Sequence, residues 1–164
     1  MLNARNSSVH LHSMADSLLQ LLRSVCADMR RSSDTDTAEW CEAWQALQCL
    51  CPDTLQNAAE ILDHKTITRV VARESGREFF AVEANGRNTH PHTCLPGFCT
   101  CMSYCQNVAS KPDQLVCKHE LAVMLAQALG KTLTQTLDDA EWASKLQLAT
   151  SIPMLAFDKS NGAL

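Results

Sequence analysis

Residues 66–83 read TITRVVARESGREFFAVE. TITRVVA at 66–72 is rich in β-branched side chains, and EFFAVE at 78–83 is aromatic and branched. Such side chains suit the pleated, half-buried surface of a strand, and β-branching restricts rotamers in a helix. Between the two runs lies RESGR at 73–77, whose Gly76 can turn the chain. The stretch predicts a β-hairpin. Asn85-Gly86 is a second turn signal and places a third strand near 90–94.

Upstream of the hairpin the apolar period is helical. Leu18, Leu22, Val25, Cys26 and Met29 predict a helix over about 15–30, and Trp40, Trp44, Leu47 and Cys51 predict a second. The polar run SSDTD at 32–36 separates them, and Asp36 with Glu39 reads as a capping box opening the second helix. Pro52 and Asp53 end that helix and begin a third, with Leu55, Ala58, Ala59 and Leu62 on its apolar face. Downstream, Leu121, Met124, Leu125, Ala128 and Leu129 mark a helix over 118–129, which Gly130 ends. A last helix is expected at 137–148, with a frayed tail from Pro153.

The fold class is therefore α+β: N-terminal helices, a small antiparallel β-sheet, a cysteine-rich knuckle and C-terminal helices. Three regions follow: 1–63 helical, 64–131 hairpin plus knuckle, and 132–164 C-terminal helix and tail.

At 164 residues the chain has room for one domain with an appended lobe. Fourteen basic against eighteen acidic side chains leave a net charge of −4. That opposes a binder whose affinity comes from summed phosphate contacts. The acid is concentrated: 32–63 holds seven carboxylates and no Lys or Arg. No apolar run is long enough to span a bilayer. The start, MLNARNSSVHLHSMADS, lacks the apolar core of a secretory signal, so its thiols are expected to stay reduced. Arg5 and the early serines make a mitochondrial presequence the minor alternative.

Nine cysteines cannot all pair within one chain, and reduced cysteine serves either as small buried filler or as a metal ligand. Cys94, Cys99, Cys101, Cys105, Cys117 and His119 crowd into 26 positions. Two close pairs stand out, Cys99-Thr-Cys101 after the Pro96-Gly97 turn and Cys117-Lys-His119 at a helix start. Pairs brought together from separate segments make the tetrahedral S/N set that zinc prefers, and a helix N-terminus favours thiolate over thiol. Spacing alone leaves ligand and filler equally open.

Cys-x-Cys, a spacer, then Cys-x-His resembles the SWIM-type zinc finger. FCTCMSY at 98–104 is similar to the first half of that motif, in which aromatic residues flank the Cys-x-Cys. VCKHELAVMLA at 116–126 is similar to the helix that closes it. The short chain resembles the small SWIM recombination factors of the Shu-type complex. Over residues 98–129 the likeness lies in the letters, and on the flanks in layout. Glu120 departs from the pattern, since relatives often carry an apolar residue there.

The resemblance implies one Zn²⁺ on Cys99, Cys101, Cys117 and His119, with the ligating atoms about 4 Å apart. Cys105 competes as a ligand but is expected to pack behind the knuckle beside Tyr104. Cys94, His90 and His92 are alternative ligands, more readily read as strand or surface residues. The resemblance also implies a nuclear, non-enzymatic protein that partners a RecA-like ATPase paralogue and assists recombinase filaments on single-stranded DNA.

Trp40, Trp44 and the 121–129 helix are candidate partner anchors, though each is also natural core. A stand-alone nucleic-acid module is the competing reading, using Arg69, Arg73, Arg77, Arg87, Lys111 and Lys118. An enzyme is disfavoured. A four-ligand zinc leaves no position for water, and no H-E-x-x-H, P-loop or G-x-S-x-G occurs. Cys94 or Cys105 near His92 would be the nucleophile if there were one.

Overall fold

The computed structural model describes residues 3–31, 37–84, 90–111 and 113–158, with side chains described from Asp16 to Ser151. Three helices come first: α1 (Asn3–Arg31), α2 (Ala38–Leu50) and α3 (Pro52–His64). The hairpin follows as β1 (Ile67–Ala72) and β2 (Glu78–Val82), then β3 (His92–Leu95) and the short β4 (Phe98–Cys99). A π-helical segment, Tyr104–Ser110, leads to α4 (Lys118–Ala128), β5 (Leu133–Leu137) and α5 (Asp139–Asp158).

The α+β class holds. The hairpin forms where its letters place it, with Ile67 opposite Val82 and Val71 opposite Glu78. The third strand pairs with β2 through Cys94 and Phe80. The sheet has five strands in the order β4-β3-β2-β1-β5, and it is mixed rather than wholly antiparallel. β5 lies parallel to β1, Thr68 opposite Leu133 and Ala72 opposite Leu137.

Three boundaries differ from expectation. α1 begins at Asn3, not near Ala15. The last helix starts at Asp139, because 133–137 is spent as strand, and its backbone stays helical through Pro153 to Asp158. The expected cap Asp36 lies outside the described residues. Thr37 is the N-cap of α2, its hydroxyl accepting from the Trp40 N–H at 3.3 Å.

Gly130 ends α4 with φ +65°. Its N–H reaches the Gln127 carbonyl, and the Lys131 N–H reaches that of Ala126 at 2.8 Å. This pair of bonds is a Schellman motif, which satisfies the last carbonyls of the helix and turns the chain directly into β5.

Period-two alternation divides the core between the two faces of the sheet. Ile67, Phe80, Val82 and Cys94 pack with Leu22 and Met29 of α1, Leu47 of α2, Leu55 and Ala58 of α3, and Leu121 and Leu125 of α4. Val70, Ala72 and Phe79 face the other way and are covered by Trp142 of α5.

The hairpin turn is also tied to α5. Asp139 Oδ1 accepts from the Glu74 and Ser75 N–H groups at 3.2 and 3.3 Å, and its Oδ2 lies 3.6 Å from Arg77. The bonds from Ser75, then Glu74, hold this carboxyl at about 2 against its usual 3.8. A depressed carboxyl stabilises the fold above its unfolded value, and that contribution disappears as pH falls through the folded one. Asp139→Asn is therefore expected to melt below wild type at neutral pH. The gap should close as pH falls from 3.8 to about 2, checked by thermal melts of both proteins across that window.

Candidate metal centre

Two structural devices bring the cysteine pairs together. Pro96-Gly97 makes a two-residue turn, with Gly97 at φ +73°, that pairs β3 with β4 and sets Cys94 opposite Cys99. Cys101 follows two residues past the end of β4. Cys117 is the N-cap of α4, its Sγ accepting from the Glu120 N–H at 3.5 Å, and His119 lies in the first turn. α4 packs on β2, β3 and β4, so its start meets the hairpin.

The outcome is a buried cluster of Cys99, Cys101, Cys117 and His119, whose ligand atoms all lie within 4.8 Å of one another. That is looser than the expected spacing of about 4 Å. A cation among them still meets all four after shifts of under about 1 Å, given bonds of 2.0–2.3 Å. His119 presents Nδ1, 3.9 Å from Cys99 Sγ.

The donor chemistry fits a cation. Cys101 is pushed well below the usual thiol range by hydrogen bonds from Cys117 first and Cys99 next, aided by the Tyr104 N–H at 3.3 Å. Cys99 and Cys117 are pushed well above that range, chiefly because each donates to Cys101. Three sulfurs this close in a buried site cannot all ionise against one another, and a divalent cation between them removes that obstacle.

The other cysteines separate by environment. Cys26 and Cys51 are buried filler, their thiols pushed by burial to about 12 and about 11. Cys41, Cys49 and Cys105 are exposed. Cys105 therefore stays out of the cluster as expected, but it faces solvent rather than packing behind the knuckle. Cys94 and His92 are strand residues that back the site. Cys94 Sγ lies 3.6 Å from Cys99 Sγ, and the His92 ring stacks on His119 with centroids 4.1 Å apart. Burial, then the neighbouring His119, lowers the His92 pKa. His90 is exposed outside the strand.

Two supporting residues carry roles that spacing did not reveal. Glu120 is buried, and its Oε1 accepts from the Gly97 N–H at 3.0 Å, fastening the turn to α4. The Tyr104 hydroxyl donates to the Gly97 carbonyl from the other side, while its ring meets Phe98 edge-on at 5.9 Å. The two aromatics flanking Cys-x-Cys thus brace the same turn. The placement of Cys94 was signalled in principle, because a Pro-Gly pair centred between positions 94 and 99 sets them opposite.

The proposed surfaces sort as follows. Trp40 and the Leu121, Ala122 and Leu125 face of α4 are core. Trp44 remains 36% exposed, as do Leu18 (38%) and Leu21 (50%) on the neighbouring α1. In the basic strip, Arg69 Nε donates to Glu78 at 2.7 Å, and Arg77 pairs with Asp139 and lies over the Trp142 ring. Arg87 lies outside the described residues.

A short hairpin supplying Cys-x-Cys and a helix start supplying Cys-x-His define a compact finger with four buried donors, set on a helix-covered sheet. The Dictyostelium discoideum zinc finger SWIM domain-containing protein 7 homolog is 30% identical over 142 residues, 85% of this chain and 85% of its own. Zinc finger SWIM domain-containing protein 7 of Homo sapiens is 27% identical over 124 residues, 74% of this chain and 81% of its own. That of Danio rerio is 27% identical over 133 residues, covering 80% and 88%. No family model and no solved structure matches. The chain belongs to the zinc finger SWIM domain-containing protein 7 family.

Proposed function

We propose that this chain is a non-catalytic zinc protein of homologous recombination and DNA repair, acting in the nucleus with a RecA-like ATPase paralogue in a Shu-type complex. Cys99, Cys101, Cys117 and His119 hold one Zn²⁺. The observation that supports the zinc part of this reading is the convergence of three buried sulfurs and one imidazole. Three thiolates and a nitrogen in four-coordination suit zinc over harder divalent cations. A shell filled by four protein donors acts as a staple and leaves no position for an activated water.

The partner is inferred from the likeness of FCTCMSY and VCKHELAVMLA to the small recombination factors. Exposed Leu18, Leu21 and Trp44 are compatible with a protein contact. In this reading the metal acts at a distance by fixing α4 against the β3–β4 turn. Native co-purification should recover a RecA-like ATPase. Cys101→Ser should abolish recovery, while Gln56→Ala, an exposed change on α3, should leave it unchanged. Normal recovery with the metal-free variant would remove the organising role of the zinc.

The stand-alone nucleic-acid reading is weakened by the pairing of Arg69 and Arg77 with carboxylates. Tight binding of single-stranded DNA by the isolated chain at physiological salt would restore it.

A further inference from the structure

β5 is an edge strand, bonded to β1 on one side, and among the described residues nothing pairs with its other side. Its first four residues are exposed, Leu133 at 62%. Edge strands are usually guarded by charge, proline or a bulge. Leu133-Thr-Gln-Thr-Leu137 holds no charged residue and no proline.

Those five residues are also a palindrome, LTQTL. Two copies laid antiparallel about Gln135 set Leu133 against Leu137 and Thr134 against Thr136. The flanks agree with that centre: Lys131 falls opposite Asp139, and Thr132 opposite Asp138. Unlike charges, not like, therefore meet at the ends.

The backbone satisfies the same register. Leu137 O accepts from Arg73 N–H, and Leu137 is the register partner of Ala72. In a parallel ladder alternate residues bond to the same neighbour, so Leu133, Gln135 and Leu137 turn their amides toward β1. Thr134 and Thr136 turn theirs outward. Centring on Gln135 makes Thr134 and Thr136 the hydrogen-bonded pair of an antiparallel ladder, as their free groups require. Leu137 already packs against the Trp142 cluster, so Leu133 of a second copy would extend that apolar cluster across the axis.

We propose that β5 joins two copies of this chain by antiparallel pairing about a twofold axis at Gln135, giving a continuous ten-stranded sheet. The interface is isologous and uses none of the metal cluster.

Sedimentation velocity of the zinc-loaded chain over a concentration series tests it. Wild type should pass from monomer to dimer. Thr134→Lys/Thr136→Lys sets like charges directly opposite twice and should raise the dissociation constant by about tenfold. Thr134→Lys/Thr136→Glu sets opposite charges in the same two pairs and should restore association. Gln135→Cys places two thiols across the axis at a non-hydrogen-bonded pair, within disulfide reach. With oxidised glutathione it should give a covalent dimer beyond any that wild type forms. A wild type monomeric throughout would overturn the proposal. So would undiminished dimers of the double-lysine variant, failure of the lysine–glutamate variant to recover, or no added cross-link. Recovery of a different protein bound to β5 in place of a second copy would equally overturn it.

Discussion

On the proposed zinc site, Cys117→Ser is expected to abolish zinc binding and to lower the melting temperature by about 10 °C or more. Cys117 does two jobs. Its Sγ belongs to the four-donor cluster, and the same atom caps α4 by accepting from the Glu120 N–H. Serine is among the better N-caps, so this substitution keeps the helix start while exchanging a soft ligand for a poor one. The loss therefore reports the metal rather than the cap. Cys117→Ala removes both and should fall further, by about 1 kcal/mol. Metal content by elemental analysis and thermal melts of the three proteins decide it. Unchanged zinc in the serine variant would exclude Cys117 as a ligand. The size of the effect follows from what the finger otherwise holds. Residues 104–111 and 113–116 add only Val116 to the buried core, with Tyr104 and Val108 packed against its edge, so the ligands that flank this stretch at 99–101 and 117–119 carry much of what fixes it.

Trp142→Ala is expected to cost about 3–5 kcal/mol, the range for deleting a buried aromatic. Trp142 is 5% exposed and is the only residue of α5 in the buried core among the described residues. Its ring meets Phe79 at 5.5 Å, its Nε1 donates to the Val70 carbonyl at 3.1 Å, and Arg77 lies over its face. Losing it leaves one face of the hairpin without its cover. Trp142→Phe keeps most of the ring contact and loses the N–H, so it should cost about 1–3 kcal/mol, the penalty for an unsatisfied buried acceptor. Denaturant unfolding of the three proteins would show the order. Near-wild-type stability of the alanine variant would mean that α5 is held by something other than this ring.

The site was more legible in the sequence than the sheet that carries it. Cys99-x-Cys101 and Cys117-x-His119 are local spacings, and local spacing survives whatever the rest of the chain does. The same holds for the helix of 118–129, where the apolar period and Gly130 mark both face and end. Cys105 and Cys94 were harder, because the difference between a ligand, a backing thiol and a solvent-facing one is a matter of burial. Residue type cannot carry that distinction, and the fates of Cys26 and Cys51 make the same point. Glu120 looked like a departure from a motif. Only the fold shows that it holds the Gly97 N–H against α4.

By itself the sequence determined the α+β class, the hairpin at 66–83 and the helices before it, each written in periods of two or 3.6 residues or in turn residues, over distances the chain cannot rearrange. It also held the two close pairs, Cys99-x-Cys101 and Cys117-x-His119, which the resemblance to the SWIM finger singled out as ligands. Tertiary structure alone decided that 133–137 is a strand. LTQTL is exposed along most of its length and buries no alternate face, so it shows no clear strand signature. It becomes a strand because the Schellman turn after α4 delivers it beside β1, more than sixty residues earlier in sequence, where its backbone groups complete a parallel ladder. A hydrogen-bond partner that distant leaves no trace in local composition, and it makes the sheet mixed and gives it the free edge.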